Sequence, residues 1–315
     1  MLDDLFEGEL NLDPNLFNRE GHVGYIALAG RPNAGKSTLI NSILGYHLTA
    51  VSSRPQTTRK HWKGFYTDDD SQLIFTDTPG IHEPIDKLGH SMKTVINRHI
   101  KEADIVVCIA DAFRDHLAED EMVAETLNSL ASRVVLAVNK VDVSTDAQKK
   151  ETIAFFKERL GSKIVSVVEI SALKKNGVDE LLSVLKKMLP VSPFIYDPDE
   201  LTDVFERDIA TELIQEAVFG SMRKEIPHGV MVKIDTWKED SKKIRIDATV
   251  HTDREAHRKI LVGKNGEQLN RIRKHAVEKI KDNIEKRIDL RMFVKVSPDW
   301  RNRRSMLEDL GFEVK

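Results

Sequence analysis

Apolar residues follow two alternating patterns over the first two thirds of the chain. Short runs rich in Val, Ile and Leu are separated by stretches in which apolar residues recur every three or four positions. The runs predict strands and the spaced stretches predict helices. The predicted strands are 23–29, 61–67, 72–76, 104–110, 133–139 and 164–170, and the predicted helices are 36–44, 87–101, 118–129, 146–160 and 178–188. This alternation predicts an α/β domain with a mixed, mostly parallel sheet and helices on both faces.

The pattern changes after three closely spaced prolines, Pro190, Pro193 and Pro198. We predict a stiff linker over 190–202, because proline cannot continue a helix. The predicted elements beyond it are a helix at 203–222, strands at 230–237 and 243–251, a helix at 254–260, a helix ending near 284, and a strand at 289–296. This order predicts an α+β domain with a C-terminal tail over 203–315. The first domain then spans 22–189, after an acidic extension over 1–21.

Charge is distributed unevenly along the chain. Residues 1–220 carry 24 Lys and Arg against 35 Asp and Glu, whereas residues 221–304 carry 23 against 13. The basic part is therefore suited to a polyanion, although solvated helix surfaces can also be basic. The single cysteine, Cys108, excludes an internal disulfide framework. The N-terminus does not resemble a secretory signal, and no apolar run approaches the ~18 residues of a membrane span. We expect a cytoplasmic protein.

A phosphate-binding motif follows the first predicted strand. Residues 30–38 read GRPNAGKST, which matches G-x-x-x-x-G-K-[ST] at the start of a helix. Its glycines let backbone N–H groups approach phosphate oxygens, Lys36 can reach the β- and γ-phosphates, and the Ser37 hydroxyl can bind Mg²⁺. The predicted nucleotide-binding residues here are Gly30, Arg31, Pro32, Asn33, Ala34, Gly35, Lys36, Ser37 and Thr38.

The third predicted strand ends in a second motif, Asp77-Thr-Pro-Gly80. In isolation this is an ordinary turn sequence. After the third strand of a phosphate-binding domain, Asp77 is expected to hold Mg²⁺ through water, and the Gly80 N–H is expected to contact the γ-phosphate.

Two further segments predict which base is bound. Asn139, Lys140 and Asp142 follow the fifth predicted strand, and Ser171 and Ala172 end the sixth. A carboxylate at Asp142 can accept hydrogen bonds from guanine N1 and N2, a donor pair that adenine lacks, and a buried polar group left unpaired is costly. A backbone N–H at Ser171–Ala172 can donate to guanine O6. The motifs together predict GTP and GDP as ligands.

The C-terminal part contains the turn Gly263-Lys-Asn-Gly266 between two predicted helices. Alone it is more often a simple helix connection. Its place in an α-β-β-α-α-β pattern, with basic flanks and preceding apolar residues, resembles a type II KH domain, which clamps single-stranded RNA at such a turn. The predicted RNA-binding residues are Arg258, Lys259, Ile260, Gly263, Lys264, Asn265, Gly266 and Arg273.

Taken together, the motifs resemble the Era family of bacterial GTPases. The likeness rests on GRPNAGKS, Gln56-Thr-Thr-Arg59, DTPG followed by Ile81, NKVD and the KH-like region. It implies a GTPase in which Thr58, rather than Thr57, closes over Mg²⁺ as part of switch I. Its implied partners are the 3′ end of 16S rRNA and the 30S subunit, whose assembly it would serve. Peripheral association with the inner face of the cell membrane is also implied.

The expected catalytic residues are Lys36, Asn33, Thr58, Asp77 and Gly80. Ile81 stands where many GTPases carry a glutamine that orients the attacking water, so we expect slow intrinsic hydrolysis. By the same likeness, Asn33 matches an asparagine that helps to hold K⁺ beside the phosphates. A purely loop-stabilising role for Asn33 is the alternative, and the sequence leaves both open.

A second functional class also fits the nucleotide motifs. A signalling or membrane-associated GTPase could carry a C-terminal domain that binds protein rather than RNA. It predicts no RNA affinity, whereas the RNA hypothesis predicts binding that weakens steeply with salt.

Overall fold

The computed structural model describes residues 19–50, 62–115, 118–222 and 229–312. Within these ranges the chain forms two sheets, each with its own helices. The elements of the first are β1 (Glu20–Ala29), α1 (Lys36–Leu44), β2 (Trp62–Thr67), β3 (Ser71–Asp77), α2 (Lys87–Glu102), β4 (Ile105–Asp111), α3 (Ala118–Leu130), β5 (Val134–Asn139), α4 (Asp146–Leu160), β6 (Ile164–Glu169), α5 (Val178–Met188) and β7 (Val191–Pro193). The elements of the second are α6 (Glu206–Gly220), β8 (Val230–Glu239), β9 (Lys243–Thr252), α7 (Glu255–Val262), α8 (Glu267–Lys281), β10 (Arg287–Val296) and α9 (Arg304–Asp309).

The first sheet has the strand order β2-β3-β1-β4-β5-β6. These strands are parallel except for β2, which is antiparallel to β3, and a seventh strand, β7, pairs antiparallel with β1. Every residue of β3, β4 and β5 is buried, as expected for strands covered on both faces. Helices α1 and α5 pack into one core, and α2, α3 and α4 pack into the other. The predicted mixed, mostly parallel sheet with helices on both faces is confirmed.

The parallel arrangement brings the nucleotide motifs together. The carboxyl ends of β1, β3, β5 and β6 lie at the same edge of the sheet, and each motif starts where one of these strands ends. This edge is where open α/β sheets bind ligands.

The proline-rich segment 190–202, which the sequence predicts to be a stiff linker, lies against the first sheet. Its first residues form β7, which pairs antiparallel with the start of β1. The Gln72 side chain then accepts hydrogen bonds from the backbone N–H groups of Ile195 and Tyr196, at 2.7 and 2.9 Å. The Tyr196 ring stacks on Phe65 with centroids 3.8 Å apart. Proline lacks an N–H and is tolerated in such an edge strand. The segment is therefore fixed along the first sheet.

The second sheet has the order β10-β9-β8, with β9 parallel to β10 and antiparallel to β8. The helices α6, α7 and α8 contribute to the core on one face of this sheet. The α-β-β-α-α-β order is as predicted, although α6 begins at Glu206 rather than at 203. The short α9 lies in the stretch that we expected to be a tail. In the described ranges no helix has the length and apolar character needed to span a bilayer.

The C-terminal segment, residues 300–312, joins the second sheet to α2. Its side chains Trp300 and Leu307 are fully buried in a cluster with Leu88 and Met92 of α2 and Met231 of β8. The segment thus packs directly on the helix that follows the DTPG motif.

An ion-pair bridge lies beside this cluster. One guanidinium nitrogen of Arg301 is 3.5 Å from the carboxylate of Asp86, and another is 3.2 Å from that of Asp253. Asp86 caps the N-terminus of α2 by accepting a hydrogen bond from the Gly89 N–H. Arg301 therefore connects the start of α2 to the loop that precedes α7.

A second junction connects the segment after α1 to the helices of the second sheet. The Glu216 carboxylate lies 2.9 Å from His47 Nε2 and 3.0 Å from Lys279 Nζ. The Asn283 side chain also donates a hydrogen bond to the His47 carbonyl at 3.0 Å. Burial acts to raise the pKa of Glu216, but His47 and Lys279 outweigh it and lower the pKa below its ordinary value of 4.5. This junction therefore contains a stabilised buried carboxylate.

We predict that Glu216→Gln lowers the melting temperature at pH 7 by about 2–4 °C, the shift that about 1 kcal/mol causes in a chain of roughly this size. A carboxylate whose pKa is lower in the folded state stabilises the fold above 4.5, its ordinary pKa. That contribution is lost as the pH falls through the lowered folded-state pKa. The difference between wild type and variant should therefore shrink in acid. Glu278→Gln, on the exposed side of α8, is the matched control. A difference that is independent of pH would contradict the prediction.

Candidate functional site

A buried lysine organises the loop between β1 and α1. Lys36 Nζ donates hydrogen bonds to the carbonyls of Gly30 and Arg31, at 3.0 and 2.9 Å. Burial lowers the pKa of Lys36 to about 8, against the opposing charge of Asp77. A polyphosphate would favour the charged ammonium, because an adjacent anion stabilises it. Gly35 has φ 107° and an added Cβ there would lie 2.2 Å from the Asn139 amide, so this position requires glycine.

The predicted magnesium ligands Ser37 and Asp77 lie side by side. The Ser37 hydroxyl donates a hydrogen bond of 2.8 Å to Asp77 Oδ2. Asp77 is fully buried, and burial raises its pKa to about 6 although Lys36 and Ser37 act to lower it. Among the described residues, no group hydrogen-bonds to Asp77 Oδ1. A hydroxyl and a carboxylate with a buried free oxygen fit Mg²⁺, which prefers oxygen ligands.

The DTPG turn lies directly against the phosphate-binding loop. The Ile81 N–H donates a hydrogen bond to the Gly30 carbonyl at 3.1 Å. A Cβ added to Gly80 would come within 2.6 Å of Pro32 N, so only glycine allows this approach. The Ile81 side chain is 5% exposed and packs into the core shared with α2. The phosphate-binding loop is therefore in direct contact with the segment before α2.

Asn139 holds together the loops predicted to bind phosphate and guanine. Its side-chain amide donates to the Ala34 carbonyl at 2.8 Å, and its oxygen accepts from the Ala172 N–H at 3.0 Å. Ser171 is buried, and its hydroxyl oxygen accepts a hydrogen bond from the backbone N–H of Lys174, three residues later. Asp142 is exposed at the same edge of the sheet, where its carboxylate can meet a base.

The sequence did not reveal a buried ion-pair network around Arg31. One Arg31 guanidinium nitrogen is 2.8 Å from Asp120, and another is 3.4 Å from Asp111. Lys140 Nζ lies 2.6 Å from the same Asp111 oxygen. The side chains of Arg31, Asp111 and Asp120 are at most 4% exposed. We name these four residues the Arg31 network. It joins the phosphate-binding loop to the NKVD loop and balances the charge of both cations.

The GKNG turn has the backbone geometry that its glycines predict. Gly263 and Gly266 have φ values of 72° and 80°, and Asn265 also has a positive φ, of 52°. A Cβ at Gly263 would lie 2.6 Å from Gln268 Cβ, whereas a Cβ at Gly266 would meet nothing within 4 Å. Lys264 and Asn265 are exposed at the tip of the turn. The turn thus presents a cation and an accessible backbone to solvent.

The flanks of this turn are also open to solvent. Arg258 and Lys259 are exposed, and Ile260 is 52% exposed although apolar. Arg271 lines a cleft with the turn, whereas Arg273 hydrogen-bonds to a side chain of its own helix. The structure therefore places Arg271, which was not among our predicted RNA-binding residues, closer to the turn's cleft.

The predicted switch I residue Thr58 and the predicted K⁺ ligand Asn33 differ in whether the structure describes them. Thr58 lies outside the described residues, as does the whole stretch Gln56–Arg59. Asn33 is half-buried with φ 63°, a left-handed conformation that asparagine tolerates.

Comparisons with known proteins match both halves of the chain. A family model described as 50S ribosome-binding GTPase matches residues 25–140, and a KH domain model matches residues 225–301. GTPase Era of Ruminiclostridium cellulolyticum is 37% identical over 292 residues, which cover 92% of this chain and 97% of that protein. GTPase Era of Caldicellulosiruptor saccharolyticus is 36% identical over 295 residues, which cover 93% of this chain and 98% of that protein.

Two solved structures share the whole arrangement. An Era variant of Aquifex aeolicus bound to GDP·AlF₄⁻ superposes with a TM-score of 0.86 at 32% identity. Era in complex with MgGDPNP and nucleotides 1506–1542 of 16S ribosomal RNA superposes with a TM-score of 0.87, also at 32% identity. Each match covers 93% of this chain and 100% of the other.

The fold and the nucleotide site define a P-loop GTPase joined to a C-terminal KH domain. The protein hydrolyses GTP. The chain belongs to the GTPase Era family.

The Arg31 network leads to a prediction about nucleotide affinity. Asp111→Asn removes the carboxylate that Lys140 and Arg31 share, and an uncompensated buried charge costs about 3–5 kcal/mol. We expect GTP and GDP affinities to fall together by about tenfold or more, the effect of roughly 1.4 kcal/mol or more. The preference for guanine over adenine should persist, because Asp142 is unchanged. Titration of a fluorescent guanine nucleotide measures this.

Asp69→Asn is the matched control for that experiment, since Asp69 forms only an exposed ion pair with Arg19. Circular dichroism of both variants establishes that they are folded. If folded Asp111→Asn protein binds both nucleotides as tightly as wild type, the network does not position the site.

Proposed function

We propose that this GTPase binds the 3′ end of 16S rRNA through its KH domain and acts in assembly of the 30S subunit. The similarity to the Era complex with nucleotides 1506–1542 of 16S ribosomal RNA carries this proposal, because it spans the full length of that chain. The exposed GKNG turn supports it from the structure itself. This role implies a cytoplasmic location. Peripheral membrane association stays a prediction of the family resemblance.

The nucleotide chemistry follows from the site residues. Ser37 and Asp77 would hold Mg²⁺, with Thr58 closing over it, and the ion would supply positive charge to the β- and γ-phosphates. Lys36 would contact the same phosphates from the buried side. The Gly80 N–H would contact the γ-phosphate, so that the DTPG turn responds to its presence. The Asp142 carboxylate would accept hydrogen bonds from guanine N1 and N2.

The position of the Ile81 side chain supports our expectation that intrinsic GTP hydrolysis is slow. Its side chain is apolar and lies in the core rather than beside the phosphates, so it cannot orient an attacking water. Asn33, in the phosphate-binding loop, is our candidate ligand for a K⁺ ion that would add positive charge next to the transferred phosphoryl group.

We predict that GTP turnover is faster in K⁺ than in Na⁺ buffer and that Asn33→Ala removes the difference. Single-turnover hydrolysis in matched buffers measures this, with GTP affinity determined in parallel to exclude a binding defect. Equal rates of the wild-type protein in the two salts would discard the potassium ligand and leave Asn33 with a role in loop stability.

The RNA site combines a close backbone with positive charge. Gly263 and Gly266 let a single strand lie against the turn, and Lys264 meets its phosphates. Ile260 offers an exposed apolar surface for a base beside the turn. Arg258 and Lys259 add charge on the preceding helix. Each of these features suits single-stranded RNA.

We predict that Lys264→Glu weakens binding to a single-stranded RNA from the 3′ end of 16S rRNA by at least tenfold. Wild-type affinity should also fall steeply as salt rises, because phosphate contacts release counterions. Lys187→Glu makes the same charge change on the exposed side of α5 in the first domain and is the control. Fluorescence anisotropy of a labelled RNA at two salt concentrations measures both effects. Absence of RNA binding by the wild-type protein would favour the alternative, a GTPase whose C-terminal domain binds protein.

The switch itself is proposed to act through the C-terminal segment. GTP would draw the DTPG turn toward the γ-phosphate, and this turn leads to Asp86 at the start of α2. Arg301 connects Asp86 to Asp253, immediately before α7, and α7 ends at Gly263 of the RNA-binding turn. RNA affinity would then depend on the bound nucleotide, and RNA would change GTP affinity by the same factor.

A further inference from the structure

Over β10 and residues Lys243–Thr249 of β9, one face of the KH sheet carries exposed or half-buried side chains. Ile288, Leu290 and Met292 of β10 are buried beneath the helices. Side chains alternate along a strand, so Arg291, Phe293 and Lys295 project to the opposite face. All three are exposed. We call this surface of β9 and β10 the open sheet face.

Phe293 is the unusual residue of this face. Its side chain is 55% exposed, although burying a phenylalanine contributes about 1.5–3 kcal/mol. The C-terminal segment covers Met231 on β8, at the far side of the sheet, and its apolar cluster does not include Phe293. The ring is therefore accessible on an edge strand.

The charges of the open sheet face favour a polyanion. Its cations are Lys243, Arg245, Arg287, Arg291 and Lys295, and its anions are Asp247 and Asp289. One of the two aspartates, Asp289, is 4.0 Å from the Arg245 side chain. Arg291 and Lys295 flank Phe293 along the same strand and form no ion pair shorter than 4.0 Å within the described residues.

The residue composition of the open sheet face favours RNA over protein as its binding partner. A protein interface has an apolar centre that is depleted of charge, whereas this face has one aromatic ring among charged side chains. Single-stranded RNA is bound by such a combination, because bases stack on an aromatic ring and cations meet the adjacent phosphates. Arginine can also stack on bases through its planar guanidinium group.

The position of β10 makes this face reachable from the GKNG turn. Helices α7 and α8, which flank the turn, pack on the covered side of β10. Since β10 is the edge strand, only that one strand separates the covered side from the open side. An RNA longer than the turn can hold could therefore continue around the edge.

We propose that the open sheet face is a second binding surface for single-stranded RNA, with a base stacked on Phe293 and phosphates held by Arg291 and Lys295. This inference rests on the proposed RNA-binding function. It adds a contact outside the GKNG turn. The proposal is therefore tested by comparing the affinity for a short RNA, which fills only the turn, with that for a longer RNA.

The experiment compares two synthetic RNAs from the 3′ end of 16S rRNA on the full-length protein. The short RNA has about four nucleotides, the number that a KH turn clamps, and the long RNA has about twelve. Phe293→Ala should lower the affinity for the long RNA at least fivefold, the lower end of the range for loss of one stacked base. The affinity for the short RNA should not change. Phe293→Trp should keep most of the affinity for the long RNA, because it preserves an aromatic face.

Phe205→Ala is the matched control, since Phe205 is an even more exposed phenylalanine, 78% exposed, at the start of α6. It should bind both RNAs as wild type does. If Phe293→Ala binds the long RNA as tightly as wild type, the second surface is overturned. If wild type binds neither RNA, the RNA-binding function fails instead.

Discussion

The structure depends on a positive charge that is buried beside β1. Lys36 is held by two carbonyls of the loop that it follows, and burial lowers its pKa to about 8. A buried ammonium is costly unless an anion is close, and the phosphates of GTP are the natural partner. The other cation of the loop, Arg31, is neutralised by Asp111 and Asp120. The charge arrangement thus separates a structural cation from Lys36, the cation that we propose binds the phosphates.

Several short contacts lead from this loop to the KH domain. The Gly30 carbonyl accepts a hydrogen bond from the Ile81 N–H, so the phosphate-binding loop and the DTPG turn are held side by side. The turn leads to Asp86, whose carboxylate caps α2 and also meets Arg301. Beyond Arg301 lie Asp253 and the helix that ends in the RNA-binding turn. An equilibrium between two positions of α2 would bias the KH domain through contacts that already exist.

The sequence was sufficient for elements whose ends carry local signals. The predicted helix 36–44 matches α1, which lies between Gly35 and Gly45, both in left-handed conformations. The sequence also predicts that the nucleotide motifs lie at one edge of the sheet, because parallel strands place their carboxyl ends together. What the sequence could not show depends on distant residues. The strand β7 pairs with the first residues of β1, Glu20–His22, which extend beyond the part of β1 that pairs with β4. The pairing of Arg31 with Asp111 and Asp120 arises where the phosphate-binding loop, the end of β4 and the first turn of α3 come together, and no local pattern marks it.

The most direct test of the switch is the RNA affinity of the full-length protein with a non-hydrolysable GTP analogue and with GDP. The affinities of wild type should differ by about 5–150-fold, the range of an ordinary allosteric coupling. Arg301→Ala breaks the bridge between Asp86 and Asp253 and should reduce that ratio while leaving nucleotide affinity in the absence of RNA unchanged. Equal RNA affinity of the wild-type protein in both nucleotide states would contradict the account.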